Sequence, residues 1–368
     1  VRANGAGGWA AEAILRLMAD AGPATPTPLR RVPLPALPDV DLYLKDESAL
    51  PTGSLKYRLA QAMLCQAIGT GALARGMTVV MGTGGAVAVA TARLATLAGL
   101  PFVAVVPAKT PRAVRAGIER QGGACRDAEG PPAGLHEEAR AFAARVGAHF
   151  LDHYTDAAPA LAAWPGPTAA DEIFAALRTH RHPVPAWLVA GAGTGATSAA
   201  LGRHIRGGGH PTRLAVADPE NSAYFPAWAS GCRDYATGMP SRVPGIGRPR
   251  VEPGFAPELI DLVIPVPDAA GAAALRWLHG TAGVPAGPAT GTVLWAACHL
   301  AARLREAGTG GSVVAVMGDG AEPYRATHLD PAWADAHGLA PGRYAADLER
   351  FAATGAWRFG SGARRASA

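Results

Sequence analysis

The sequence predicts an α/β protein of two layers, each a mostly parallel sheet covered by helices, and three observations predict it. Short apolar runs rich in Val, Ile and Leu alternate with longer segments of helical spacing. The short runs are apolar at successive positions, the pattern of strands buried on both faces that parallel sheets require. The 368 residues exceed the roughly 150 of a single domain, and 49% hydrophobic against 17% charged composition excludes a disordered chain.

Taken in order, residues 9–21 have helical spacing and 21–38 form a Pro-rich connector. Strands are expected at 40–44, 78–81, 102–106, 187–190, 214–217, 259–266 and 312–317, and helices at 55–67, 88–98, 112–121, 170–177, 198–205, 269–278 and 293–304. Pro- and Gly-rich shifts at 126–135 and 157–168 are candidate boundaries. They divide the chain into 1–155, 156–335 and a C-terminal extension, 336–368, that lacks strand character and ends in a Gly, Ser, Arg and Ala tail from Phe359.

The net charge of +5 and pI near 9.2 come from scattered residues. No block of five or six like charges occurs and no basic stripe alternates with aromatics, so no nucleic-acid partner is expected. The apolar stretch 77–92 is broken by Gly82, Gly84 and Gly85 and cannot span a membrane. Cys65, Cys125, Cys232 and Cys298 form no CxxC pair, which disfavours a zinc site or a disulfide framework and fits a reducing cytoplasm. No export-type leader opens the sequence, although a start at Val1 leaves room for a trimmed terminus. The 11 His residues include no HExxH, and Ser54 and Ser222 lack a GxSxG elbow, so metal and hydrolase readings are disfavoured.

Of the 34 basic residues, 31 are Arg and only Lys45, Lys56 and Lys109 are Lys. Where Arg is so strongly preferred for generic charge, a retained Lys hints at amine chemistry that a guanidinium cannot perform. Lys56 closes the run Pro51-Thr52-Gly53-Ser54-Leu55-Lys56 between a strand and a helix, with Ser54 as expected N-cap. In the first helical turn the dipole disfavours the ammonium form and makes the amine a nucleophile for a carbonyl. A second loop, Gly191-Ala192-Gly193-Thr194-Gly195-Ala196-Thr197, follows a strand and opens a helix, an arrangement suited to an anion. It lacks a Walker Lys and fits a dinucleotide fingerprint only in a relaxed form, with Asp218 at the distance of a ribose-binding acid.

These motifs, with Leu44-Lys45-Asp46-Glu47-Ser48, Asp218-Pro219-Glu220-Asn221-Ser222 and Gly245-Ile246-Gly247-Arg248-Pro249-Arg250-Val251-Glu252-Pro253, stand in the order found in the fold-type II pyridoxal phosphate enzymes. The chain resembles that group, which includes cysteine synthases and cystathionine beta-synthase, from about Trp9 to Leu339, and looks most like the branch holding bacterial L-cysteine desulfhydrases. The resemblance implies a two-domain fold like the tryptophan synthase beta subunit, pyridoxal 5'-phosphate between the domains, a small amino acid as substrate and a homodimer. It implies Lys56 as the Schiff-base residue and Cα base, and Gly193, Thr194, Gly195, Ala196 and Thr197 as the phosphate cradle. It further implies β-elimination or β-replacement on a cysteine-like or O-activated serine-like amino acid through an aminoacrylate.

Several positions depart from the family pattern. The substrate-carboxylate loop reads Gly82-Thr83-Gly84-Gly85-Ala86, without three of the usual hydrogen-bonding side chains. His153-Tyr154 stand where a Gln-Phe pair is typical, and Pro288-Ala289-Thr290-Gly291 replace the Ser-bearing turn at the ring nitrogen, leaving Ala289 and Thr290 as the candidates there. Asp319-Gly320-Ala321-Glu322-Pro323-Tyr324 lacks the pattern's Arg. Gly245 and His153 are expected to face the substrate. Two outcomes follow: an enzyme that handles L-cysteine and O-acetylserine poorly and prefers a bulkier or differently charged amino acid, or a non-catalytic paralogue that keeps the fold as a binding protein.

Overall fold

The computed structural model describes residues 4–20 and 26–357, so the tail from Phe359 and part of the 21–38 connector lie outside the described residues. Ten strands occur among them: β1 (Leu29–Val32), β2 (Val40–Asp46), β3 (Val79–Gly82), β4 (Phe102–Val106), β5 (Ala124–Asp127), β6 (His149–Phe150), β7 (Trp187–Gly191), β8 (Arg213–Pro219), β9 (Leu262–Val266) and β10 (Gly311–Met317). They form a six-stranded sheet, β1-β2-β10-β7-β8-β9, and a four-stranded sheet, β5-β4-β3-β6. Every pairing is parallel except β1 with β2.

Both sheets are covered on both faces, as continuous apolar strands require. On β10, Val313, Ala315 and Met317 enter one core with Leu42, Val189 and Ala217, while Val314 and Val316 enter another with Leu188 and Val216. The small sheet places Val79, Met81 and Ala104 in one core and Val80 and Val105 in another. The segment 126–135 is therefore no boundary: it carries the end of β5 and the turn into the helix Leu135–Arg145, which covers the small sheet. The division at 155 also differs from the sheet boundary, because β1 and β2 pair with β10. Within the extension, the helix Gly342–Thr354 packs Leu348 and Phe351 into the core shared with the helix Asp268–Ala282. The strand expected from 259 starts at Leu262, since Pro257 opens a 3-10 turn over Pro257–Leu259.

Topology fixes where a ligand can sit. From β7 the chain runs outward through β8 and β9, then returns to β10 on β7's other side. From β3 it runs through β4 and β5, then returns to β6. Each reversal opens a crevice at the carboxyl ends of adjacent strands, the usual ligand position in such sheets. The large sheet's crevice is bounded by the loops after β7 and β10, and the small sheet's by the loops after β3 and β6.

A buried charge network ties β2 and the turn after it to the helices Lys56–Gly69 and Ala169–Leu177. Lys45, 1% exposed, donates to Glu172 Oε2 at 2.5 Å and to the Thr27 carbonyl at 2.6 Å. Arg58 bridges Glu172 at 2.8 Å and Glu47 at 2.5 Å. Burial penalises the Glu172 charge, yet Arg58 and Lys45 hold its carboxyl below the usual range. Glu172→Gln leaves two cations facing one carboxylate and is expected to cost about 3–5 kcal/mol of stability. Urea unfolding tests this; a loss below about 1 kcal/mol, the range of exposed pairs, would contradict it.

Candidate active site

Lys56 is placed by backbone geometry at the edge of the large sheet's crevice. After β2 the chain donates the Leu55 amide to the Gly318 carbonyl at 2.7 Å, and Ser54 bridges Asp319 just beyond β10. The helix Lys56–Gly69 begins one residue later than expected, with Leu55 rather than Ser54 in the cap position. The Ser54 hydroxyl still accepts from the Lys56 amide at 3.1 Å and donates to Asp319 Oδ1 at 2.5 Å. Tyr324 donates to the other Asp319 oxygen at 2.8 Å.

The Lys56 amine lies 3.4 Å from the Gly245 carbonyl. Burial pushes it below the ordinary lysine value, with the Asp319 carboxylate opposing and Arg248 reinforcing the shift. The other two lysines are differently placed. Lys45 is held in the buried network, and Lys109 is exposed on the turn after β4.

Opposite Lys56, the loop after β7 runs into the helix Ala196–Gly207, whose first amides have no partner within the helix. Its glycines are required by contact. A Cβ on Gly193 would stand 2.3 Å from the Gly245 oxygen and 3.5 Å from the Lys56 amine. Gly195 has φ +82°, and a Cβ there would stand 2.4 Å from the Phe255 nitrogen. Thr194 is buried, with its hydroxyl accepting from the Ala196 amide at 3.3 Å, and Thr197 lines the crevice with Lys56, Gly193 and Gly195. Fully buried Tyr224 fixes the loop by donating to the Gly193 carbonyl at 2.5 Å. Sequence reasoning missed Tyr224, which lies just past the Asp218 to Ser222 motif.

Ala289 and Thr290 differ in placement. Ala289 lines the crevice, one turn before Val293 on the helix Pro288–Glu306. Thr290 is buried, and its hydroxyl has no partner among the described residues.

The second crevice gathers the substrate-side candidates. The Leu151 amide bonds the Val80 carbonyl, so the loop after β6 runs beside the loop after β3. Gly82 presses against the helix Leu135–Arg145, where a Cβ would meet Ala139 at 2.9 Å, and Gly84 faces Thr110 at 3.1 Å. Thr83 accepts from the Gly85 amide at 3.2 Å, which leaves its own proton free to donate. Gly85 caps the helix Ala86–Ala98 without a side-chain bond. His153 is 4% exposed and packs against Tyr154, with ring centroids 4.1 Å apart and planes tilted by 37°. Burial, then the neighbouring His136, pushes His153 down to about 3, so its imidazole is neutral near pH 7. Asp152 takes hydrogen bonds from His136 and Arg140, each at 2.9 Å, and fixes this turn.

The two crevices meet across Arg248. Its guanidinium lies 4.6 Å from the Tyr154 ring centroid, and it follows Gly247, whose amide bonds the Ala192 carbonyl at 2.8 Å. The glycine cradle beside a helix start suits a phosphate, and the amine next to it, its pKa lowered by burial, suits an aldehyde on the same small molecule. Pyridoxal phosphate carries both groups on adjacent ring positions, so these residues fit it.

A lysine amine beside a glycine-lined helix start is an arrangement suited to one small molecule that carries both an aldehyde and an anionic group. Residues 21–319 match the family of pyridoxal-phosphate dependent enzymes, and the chain belongs to that family. It is 44% identical over 354 residues, 95% of this chain and 96% of the other, to L-cysteine desulfhydrase Cds1 of Mycobacterium tuberculosis (strain ATCC 25177 / H37Ra). It is 29% identical to N-(2-amino-2-carboxyethyl)-L-glutamate synthase of Ralstonia nicotianae (strain ATCC BAA-1114 / GMI1000), covering 80% of this chain and 83% of that one. The crystal structure of O-ureido-L-serine synthase superposes with a TM-score of 0.74 at 26% identity, covering 84% of this chain and 93% of that one. Among the described residues no helix is long and apolar enough to cross a membrane, and no group of three or more His, Cys, Asp or Glu is arranged to hold a metal ion.

Proposed function

We propose that the protein catalyses β-elimination, or the related β-replacement, on a cysteine-like or O-activated serine-like amino acid, with elimination the foremost reaction. The observation that carries this reading is the Lys56 amine, depressed by burial, beside the glycine cradle. The desulfhydrase with 44% identity across almost the whole chain supports elimination. We also propose a cytoplasmic homodimer, as the family resemblance implies, which sedimentation of the purified protein would test.

When bound, the cofactor ring supplies an electron sink for negative charge at the substrate Cα. Lys56 supplies the base: its neutral amine accepts the Cα proton at Nζ, and the Asp319 carboxylate favours the ammonium so formed. The Gly193 to Thr197 loop holds the anionic end and fixes orientation. Departure of the β substituent then gives the unsaturated product, which water converts to a keto acid and ammonia.

The substrate-carboxylate loop is poorer in donors than the family pattern, and each missing side-chain bond is worth about 1 kcal/mol. L-cysteine is therefore expected to be turned over with a Michaelis constant raised by roughly tens of fold and little loss of kcat. His153→Gln is expected to change the preference between L-cysteine and O-acetyl-L-serine severalfold, since the neutral imidazole borders this crevice. Steady-state release of sulfide and pyruvate measures both. A cofactor-loaded protein that releases neither from any β-substituted alanine would overturn the enzyme reading in favour of a binding protein.

A further inference from the structure

We propose that Arg248 is the carboxylate-binding residue of the substrate site, taking over the role that the glycine-rich loop after β3 can fill only in part. This rests on the reading of the site as one that binds an amino acid, and it names the group by which that amino acid is held.

Three observations place a guanidinium there. Arg248 lies three residues beyond Gly245, whose carbonyl is 3.4 Å from the Lys56 amine, and the Gly247 amide ties the intervening turn to the cradle at Ala192. Two neighbours hold the guanidinium, one over a ring and one at the Nε edge. The Tyr154 ring lies 4.6 Å from the guanidinium carbon, and Glu252, 1% exposed, accepts from Nε at 2.9 Å. Tyr154 packs in turn against His153, in the loop beside the depleted one.

The charge balance leaves this cation available. Glu252 is shared between Arg248 and Arg250, whose Nε is 3.6 Å from Oε2, so two guanidiniums face one carboxylate and one positive charge is uncompensated. Only Nε of Arg248 is used by Glu252, and its side chain remains 31% exposed. The terminal nitrogens thus keep the paired donor geometry that matches a carboxylate. Such an anchored, half-open Arg is suited to binding an anion and is poorly explained as a surface charge.

The test is a titration of the cofactor-loaded enzyme, read by the change in visible absorbance, with L-alanine, L-alaninamide and L-glutamate. L-alanine has one carboxylate and no β leaving group, L-alaninamide has none, and L-glutamate adds a distal one. If Arg248 holds the α-carboxylate, Arg248→Gln weakens L-alanine at least tenfold and leaves L-alaninamide unchanged. If the variant instead weakens L-glutamate at least tenfold and spares L-alanine, Arg248 holds a side-chain carboxylate and its assignment to the α-carboxylate is overturned. Arg248→Lys retains the charge and should recover part of either loss, which separates anion binding from misfolding. Equal affinities in wild type and Arg248→Gln, or an equal loss for all three ligands that Arg248→Lys does not recover, would overturn the assignment of Arg248. Failure of every amino acid to perturb the wild-type spectrum would instead overturn the underlying reading of the site, and this inference with it.

Discussion

Lys56→Ala is expected to abolish both the visible absorbance of the bound cofactor and the borohydride-reducible link between cofactor and protein, and to reduce turnover to background. The other two lysines cannot substitute. Lys45 lies in the core with its amine donated to Glu172 and the Thr27 carbonyl, and Lys109 is on an exposed turn. Lys56 alone stands within reach of the cradle, 3.5 Å from where a Gly193 Cβ would be. Burial lowers its folded-state pKa below the ordinary lysine value, so the neutral amine persists to lower pH than it would in water. Activity limited by this base should fall as pH drops through that lowered value, and Lys109→Ala should leave the profile unchanged. Mass spectrometry of the reduced protein locates the modified residue; finding it at Lys45 or Lys109 would refute the assignment.

The readable parts of this protein are those where local chemistry and fold coincide. The loop after β7 could be read because its glycines serve the same end at two levels, permitting the turn and letting the backbone approach a ligand. Strands β7, β8 and β10 were legible as continuous apolar runs. β1 was not, since its Leu-Arg-Arg-Val sequence belongs to an edge strand with two exposed Arg, and its pairing with β2 comes from backbone register. β6 has two residues and no periodicity to detect. The network of Lys45, Glu47 and Arg58 is closed by Glu172, 127 residues from Lys45 and 114 from Arg58, so no spacing rule shows it. Arg248 stood in a visible motif, but its meaning depends on Tyr154, which the fold brings from the other sheet. Thr290 shows the reverse case: a residue type suited to a ring nitrogen, adjacent in sequence to Ala289, which lines the crevice.

Gly195→Asp is expected to weaken cofactor binding by at least about 100-fold, equivalent to about 3 kcal/mol. Two effects act in the same direction. The backbone at Gly195 has φ +82°, a conformation that L side chains rarely adopt, and a Cβ would lie 2.4 Å from the Phe255 nitrogen and 2.5 Å from the Gly254 oxygen. Those atoms are backbone, so the loop itself must move and the amide cradle opens. The new carboxylate then adds like charge at the start of the helix Ala196–Gly207, where a phosphate would otherwise receive the positive end of the dipole. Gly195→Ala and Gly195→Asn introduce the steric conflict without the charge and should lose less affinity than the Asp variant. Equilibrium titration of the apoproteins with pyridoxal phosphate, together with their melting temperatures, separates loss of the cradle from loss of the fold. A folded Gly195→Asp protein that binds the cofactor as tightly as wild type would move the phosphate out of this loop.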